Sequence, residues 1–240
     1  MLTISNFSKT YSKGKIAVDN ISFEVKSGNI FGFIGHNGAG KSTTLRAIAG
    51  ILPFEQGEIL IDGHSIKTEP IAAKSITAFL PDNPDLYEFM TGIQFLNFVC
   101  DVYHISSSNR TEQITYYANL FELTDSLGNA ISSYSHGMKQ KLALISAFIR
   151  NPKLLLLDEP FVGLDPKASH MLKQELRKLC DNGGAVLFST HVLEVAEKLC
   201  DCIGIIRQGK LVACGNTADI VGSSSLETVF LELESEVTSK

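Results

Sequence analysis

Eight consecutive residues, Gly35-His36-Asn37-Gly38-Ala39-Gly40-Lys41-Ser42, follow the spacing G-x-x-x-x-G-K-[ST] without a mismatch. In this pattern glycines let backbone N–H groups turn inward round an anion, the lysine adds a cation beside the outer phosphates, and the hydroxyl can ligate a divalent ion. Gly35 to Thr43 is therefore a candidate cradle for a nucleoside triphosphate. Far downstream, Leu154-Leu155-Leu156-Leu157 runs into Asp158-Glu159-Pro160. A strand buried on both faces delivers the residues at its carboxyl end to the edge where α/β sheets bind ligands. Asp158 is then expected to hold Mg²⁺ through water, and Glu159 to polarise an attacking water as general base.

These groups need a scaffold, and the local pattern supplies one. Ile30 to Ile34, before the glycine run, reads as a buried strand, and Thr43 to Ala49, after it, as a helix closed by Gly50. Further β-type runs lie at Leu2 to Phe7, Ala17 to Val25, Glu58 to Ile61 and Ile76 to Leu80. From Thr91 the apolar spacing turns helical through Ile93, Leu96, Val99, Cys100 and Tyr103, and Thr91-x-x-Gln94 forms a capping box. A polar break at Ser106 to Asn109 separates this helix from a second over Thr111 to Phe121. A third, with one apolar face, spans about Ser135 to Arg150, and Ser135 is its candidate N-cap. After Asn151-Pro152 strand and helix alternate: Leu154 to Leu157, Lys167 to Cys180, Ala185 to Ser189, Val192 to Leu199 and Cys202 to Arg207. That order predicts an α/β fold with a mostly parallel sheet.

A chain of 240 residues, 44% hydrophobic and 20% charged, has enough apolar material for a full core. Its formal net charge of −5 argues against a generally basic surface, so nucleic acid is not an expected partner. No apolar run reaches the ~18 residues that a membrane span needs. Met1 to Ser5 lacks the basic and apolar regions of a secretory signal, so the chain is expected in the cytosol. Five cysteines, an odd count with no C-x-x-C pair, suit reduced thiols in a reducing compartment.

In this order the motifs resemble the ATP-binding cassette family, the nucleotide-binding subunits of ABC transporters, over nearly the full chain. In that family the phosphate loop matches Gly35 to Ser42 and Walker B matches Leu154 to Asp158. The signature written LSGGQ matches Tyr134-Ser135-His136-Gly137-Met138, the D-loop matches Gly163-Leu164-Asp165, the switch histidine matches His191 and the adenine-stacking aromatic matches Tyr11. The resemblance implies an ABC ATPase fold: a P-loop NTPase core with a mainly parallel sheet, an N-terminal antiparallel β part and an inserted α-helical subdomain. One domain would cover 1–240, with 1–87 and 151–222 as the nucleotide-binding core, 88–150 as the helical subdomain with the signature and 223–240 as a C-terminal helix and tail.

The resemblance further implies ATP and Mg²⁺ as cofactors, with Ser42 and Asp158 at the metal and Glu159, His191 and Lys41 in catalysis. Ser135, His136, Gly137 and Met138 would close the site in trans, from a second copy or a related subunit, with Asp165 in the D-loop. Transmembrane permease subunits would dock around Asp82 to Tyr103 and hold the chain on the inner face of the cell membrane. Physical reasons accompany two of these assignments. His191 follows the apolar strand Ala185 to Ser189, which puts it at the carboxyl edge of the sheet. Tyr11 lies in the polar turn Lys9 to Gly14, where a ring has no core to fill and can stack on adenine.

Two positions depart from the family pattern. Asp82 stands where the Q-loop glutamine is usual; an ionised carboxylate can ligate Mg²⁺ but cannot donate a hydrogen bond. His136-Gly137-Met138 replaces Gly-Gly-Gln, and the form Tyr-Ser-x-Gly-Met-x-Gln resembles the variant of bacterial exporters whose membrane domains are separate polypeptides. The tail Ser225 to Leu231 resembles that subgroup's terminal helix, so export is expected rather than import. The alternative class, soluble ABC ATPases acting on nucleic acid or ribosomes, usually brings long coiled coils or a second cassette, which this sequence lacks. A small-molecule kinase would leave the signature and His191 without a purpose.

Overall fold

The computed structural model describes residues 1–238, without the side chains of Lys13 and of residues 234–238; of the expected C-terminal tail, Ser239 and Lys240 lie outside the described residues. The chain begins β1 (Leu2–Thr10), β2 (Ile16–Val25), β3 (Ile30–Ile34), α1 (Lys41–Ile48), β4 (Gln56–Ile61), β5 (His64–Ser65), α2 (Pro70–Ser75) and β6 (Thr77–Leu80). A helical stretch follows, α3 (Gly92–Val102), α4 (Ser107–Leu120) and α5 (His136–Phe148). Alternation then resumes with β7 (Leu154–Asp158), α6 (Pro166–Asp181), β8 (Ala185–Thr190), α7 (Leu193–Leu199), β9 (Cys202–Arg207), β10 (Lys210–Asn216), α8 (Thr217–Val221) and α9 (Leu226–Thr238).

The strands form an antiparallel four-stranded sheet in the order β2-β1-β4-β5 and a six-stranded sheet in the order β10-β9-β3-β8-β7-β6. Within the second sheet every pairing is parallel except β9 with β10. The central strands are apolar on both faces because each face has its own core. Phe31 and Phe33 of β3, Leu154 and Leu156 of β7, and Leu187 of β8 point to a cluster shared with α1 and the antiparallel sheet. Their neighbours Ile30 and Ile34, Leu155 and Leu157, and Val186 and Phe188 point to a cluster shared with α5, α6 and the helical stretch. Phe23 of β2 stacks on Phe31 at 5.1 Å and on Phe33 at 5.4 Å, which locks the two sheets together.

Local sequence sets the helix boundaries that matter for the site. Gly40, at φ +115°, starts α1 in a left-handed conformation, and a Cβ there would lie 2.6 Å from the Ala17 carbonyl oxygen. At α3 the Thr91 hydroxyl accepts from Gln94 N while the Gln94 side chain accepts from Thr91 N, the reciprocal box its spacing predicts. One expectation is corrected and one element is added. The polar break at Ser106 to Asn109 is the N-cap and first turn of α4: Ser106 is extended at φ −61° and ψ 151° with no side-chain cap, and its carbonyl accepts the first helical bond from Arg110 N at 2.8 Å, so the helix starts at Ser107. Lys210–Asn216, unassigned from sequence, is the edge strand β10, returned on β9 through the left-handed turn Gln208-Gly209 at φ +47° and +82°.

Candidate active site

The carboxyl ends of β3, β7 and β8 are adjacent in the parallel sheet, so the residues that follow them meet at one edge. A cleft of about 470 Å³ opens there. His36, Asn37, Gly38, Gly40, Lys41, Ser42 and Thr43 line it on the side of the phosphate loop, with Asp158 and Glu159 at its floor and Tyr11 and Asp82 at its margins. Gly35 and Ala39 turn away from it, the latter buried. Tyr11 is about two-fifths exposed, with its hydroxyl 3.3 Å from that of Thr43, so the ring stands beside the phosphate loop rather than in the core.

Lys41 is buried and folded onto its own loop. Its ammonium donates to the Gly35 carbonyl at 2.6 Å and the His36 carbonyl at 3.3 Å, and lies 3.5 Å from Glu159 Oε1. An arriving phosphate can replace these carbonyls as a stronger, charged acceptor. Asp158 is 1% exposed; its Oδ1 accepts from the Ser189 hydroxyl at 2.5 Å, while Oδ2 is buried without a partner. A buried, unpaired carboxylate oxygen is costly to leave unsatisfied, and beside the Ser42 hydroxyl it is a fitting donor set for Mg²⁺ or its water.

Glu159 takes the left-handed conformation at φ +49°, uncommon for a side chain of its size. Its N–H is held by the carbonyl and the hydroxyl of Ser189, both at 3.2 Å, so β8 maintains the turn. Glu159 Oε1 lies 3.0 Å from His191 Nδ1, in a geometry that makes no hydrogen bond and leaves that buried oxygen without a donor. His191 itself is half exposed at the end of β8, and the Thr190 hydroxyl accepts from Val192 N to shape its loop. Such an arrangement can orient a water at Glu159 with the imidazole beside it.

The signature segment lies elsewhere: none of Ser135, His136, Gly137 and Met138 lines the cleft. Ser135 caps α5, accepting from Met138 N at 3.3 Å. His136 and Gly137 press instead on the D-loop of the same chain. A Cβ on Gly163 would come within 2.7 Å of the His136 ring, and one on Gly137 within 2.8 Å of the Gly163 carbonyl oxygen. Lys141 pairs with Asp165 Oδ2 at 2.7 Å, and Asp165 Oδ1 caps α6 by accepting from Ala168 N at 2.8 Å. The Lys141 hydrogen bond first, and the Ala168 N–H second, hold the Asp165 carboxyl below its ordinary range.

Sequence reasoning missed Lys15, Ile16, Ala17 and Gln208, which also line the cleft, and Ser189, which holds Asp158 and Glu159. Ser189 carried a usable signal, a hydroxyl breaking an otherwise apolar strand; Gln208 carried none.

A family model described as ABC transporter matches residues 18–162. The chain is 36% identical over 239 residues to the uncharacterized ABC transporter ATP-binding protein YhcH of Bacillus subtilis (strain 168), covering 98% of this chain and 75% of that one. It is 34% identical to the linearmycin resistance ATP-binding protein LnrL of the same strain, covering 95% and 73% respectively. A solved structure described as the ATP binding subunit of an ABC transporter superimposes with a TM-score of 0.93 at 32% identity, covering 98% of this chain and 99% of that chain. With the phosphate loop, the paired carboxylates and the histidine gathered at one sheet edge, the chain belongs to the ABC transporter family and is one of its ATPases.

Proposed function

We propose that the chain is the ATP-hydrolysing subunit of a membrane exporter, acting as a homodimer or heterodimer of ATPase subunits on the inner face of the cell membrane. One observation carries this reading. Lys41, Ser42, Asp158 and Glu159 line one cleft, with His191 outside its lining but 3.0 Å from Glu159 Oε1, whereas the signature makes no contact with these groups and caps the start of α5. The cleft is then half of a site, and Ser135 and Gly137 of a second subunit complete it over the outer phosphate with a helix N-terminus.

Within the cleft Tyr11 stacks on adenine, the loop amides and Lys41 hold the phosphates, Glu159 accepts the proton of the attacking water, and His191 donates to the outer phosphate. Ser42 and, through water, Asp158 would hold Mg²⁺, which would supply neutralisation of the phosphate charge. Asp165 and the His136–Gly163 contact join the signature and the D-loop into one rigid edge.

The exporter direction is supported by the Tyr-Ser-x-Gly-Met-x-Gln form of the signature and by the name of LnrL, a resistance protein. Among the described residues no helix is long and apolar enough to cross a membrane. The membrane-crossing part of the transporter is assigned to transmembrane permease subunits on the family resemblance. The exposed rings of Tyr87, Phe89 and Phe98, clustered beside the Asp82 loop, suit docking of such a subunit's cytoplasmic segment. Replacing Glu159 by Gln tests the catalytic half of the reading: ATP binding should persist while hydrolysis falls by roughly 10²- to 10⁴-fold and an ATP-bound dimer accumulates on gel filtration. Hydrolysis at the normal rate would remove Glu159 from the base role.

A further inference from the structure

The C-terminal helix is fastened to both sides of the phosphate site. Leu226, fully buried at its start, donates its N–H to Glu197 Oε2 at 2.8 Å, and Glu197 lies on α7, the helix that follows His191. One turn later Phe230, 9% exposed, meets the His36 ring edge-on, with centroids 5.1 Å apart and planes at 66°. Farther along, the Leu233 carbonyl accepts from Arg207 Nη1 at 2.8 Å. Arg207 opens the β9–β10 turn, whose Gly209 N–H donates to the Ala39 carbonyl at 2.9 Å and so supports the back of the phosphate loop. Along one face, α9 thus grips the element after His191, the loop at His36 and the turn behind Ala39.

Two open hollows flank Phe230. A hollow of about 290 Å³ lies on one side of Phe230, bounded by His36 to Ala39, Ile206 and Leu233. Another of about 200 Å³ lies on the other side, bounded by Gly35, His191, Glu227 and Leu231. Both hollows open to solvent, so Leu226 and Phe230 anchor α9 in the apolar cluster while the flanks of Phe230 are left unenclosed.

His36 also connects this helix to the chemistry. Its carbonyl is one of the acceptors that Lys41 occupies, and phosphate binding draws that ammonium away from the Gly35 and His36 carbonyls. We infer that Phe230 is a positioning residue for the nucleotide: through the His36 ring it sets the entry of the phosphate loop, and nucleotide binding in turn tightens the seating of α9. This inference rests on the reading of the cleft as an ATP site. Coupling of this kind is reciprocal, so it must be visible from both ends.

Hydrogen exchange on the wild-type chain, with and without ATP, reads one end. Amides from Phe230 to Leu233 should exchange severalfold more slowly when nucleotide is bound. Equilibrium ATP binding to Phe230→Ala and Phe230→Tyr reads the other. Loss of an aromatic edge contact should weaken ATP binding by roughly two- to tenfold and raise KM with kcat preserved, while Phe230→Tyr, which keeps the ring, retains wild-type affinity. Wild-type protein that binds no ATP would overturn the assignment of the cleft. Wild-type protein that binds ATP with no change in α9 exchange, or a folded Phe230→Ala variant with unaltered affinity, would overturn the role of Phe230 alone. Should Phe230→Ala fail to fold, the exchange comparison on the wild-type chain decides.

Discussion

Asp82 brings a third carboxylate to a cleft that already holds Asp158 and Glu159, against the ammonium groups of Lys15 and Lys41. Carboxylates at this edge repel a bare triphosphate and attract a divalent cation, so nucleotide binding here should depend on Mg²⁺ more steeply than with the family's glutamine. Replacing Asp82 by Gln should strengthen ATP binding in chelator severalfold while raising the Mg²⁺ concentration needed for half-maximal turnover, and Asp82→Ala should weaken Mg²⁺-dependent turnover. Titrations of nucleotide against Mg²⁺ check this, and superimposable curves would assign Asp82 no part at the metal. Much of this edge was legible beforehand because phosphate binding demands residue types at fixed spacing, as in Gly35 to Ser42. Ser189 and Gln208 were harder to see, since what brings them to Glu159 and His36 is the order of strands in the sheet, a long-range fact.

The start of α5 and the start of α6 behave as one piece, with Gly163 admitting His136 and Lys141 reaching Asp165. The lowered Asp165 pKa gives this junction a pH dependence with a definite sign. A carboxyl whose folded pKa is depressed adds stability that is fully present above its unfolded value, about 3.9, and is lost as pH falls through the folded value. Asp165→Asn keeps a capping oxygen but not the charge paired with Lys141. Its stability deficit against wild type, measured by urea unfolding, should therefore be present at pH 7 and shrink below about pH 4. No deficit at pH 7, or one that does not change with pH, would mean that the charge paired with Lys141 adds no stability. Helix starts of this kind were readable from local sequence: Ser135, and the Thr91–Gln94 pair, sit where their side chains satisfy nearby N–H groups. β10 was not, because its turn uses Gln208-Gly209 rather than Asn-Gly and its alternation is that of a half-exposed edge.

Since the signature does not reach the cleft of its own chain, turnover by the isolated protein should rise more than linearly with its concentration, toward second order while monomer predominates. Specific activity measured over a hundredfold dilution series checks this, and a constant value would mean either a preformed dimer or a site complete in one chain, which sedimentation at the same concentrations separates. The arrangement of cores bears on what such closure can do. β3, β7 and β8 are the common wall of both apolar clusters, with alternate side chains committed to opposite sides. A close-packed wall of low compressibility cannot yield on one side alone. A nucleotide held at the carboxyl edge, as proposed, would therefore press on a wall whose two sides shift together, and α1 on one side and α5 and α6 on the other would move with it as a stiff lever arm.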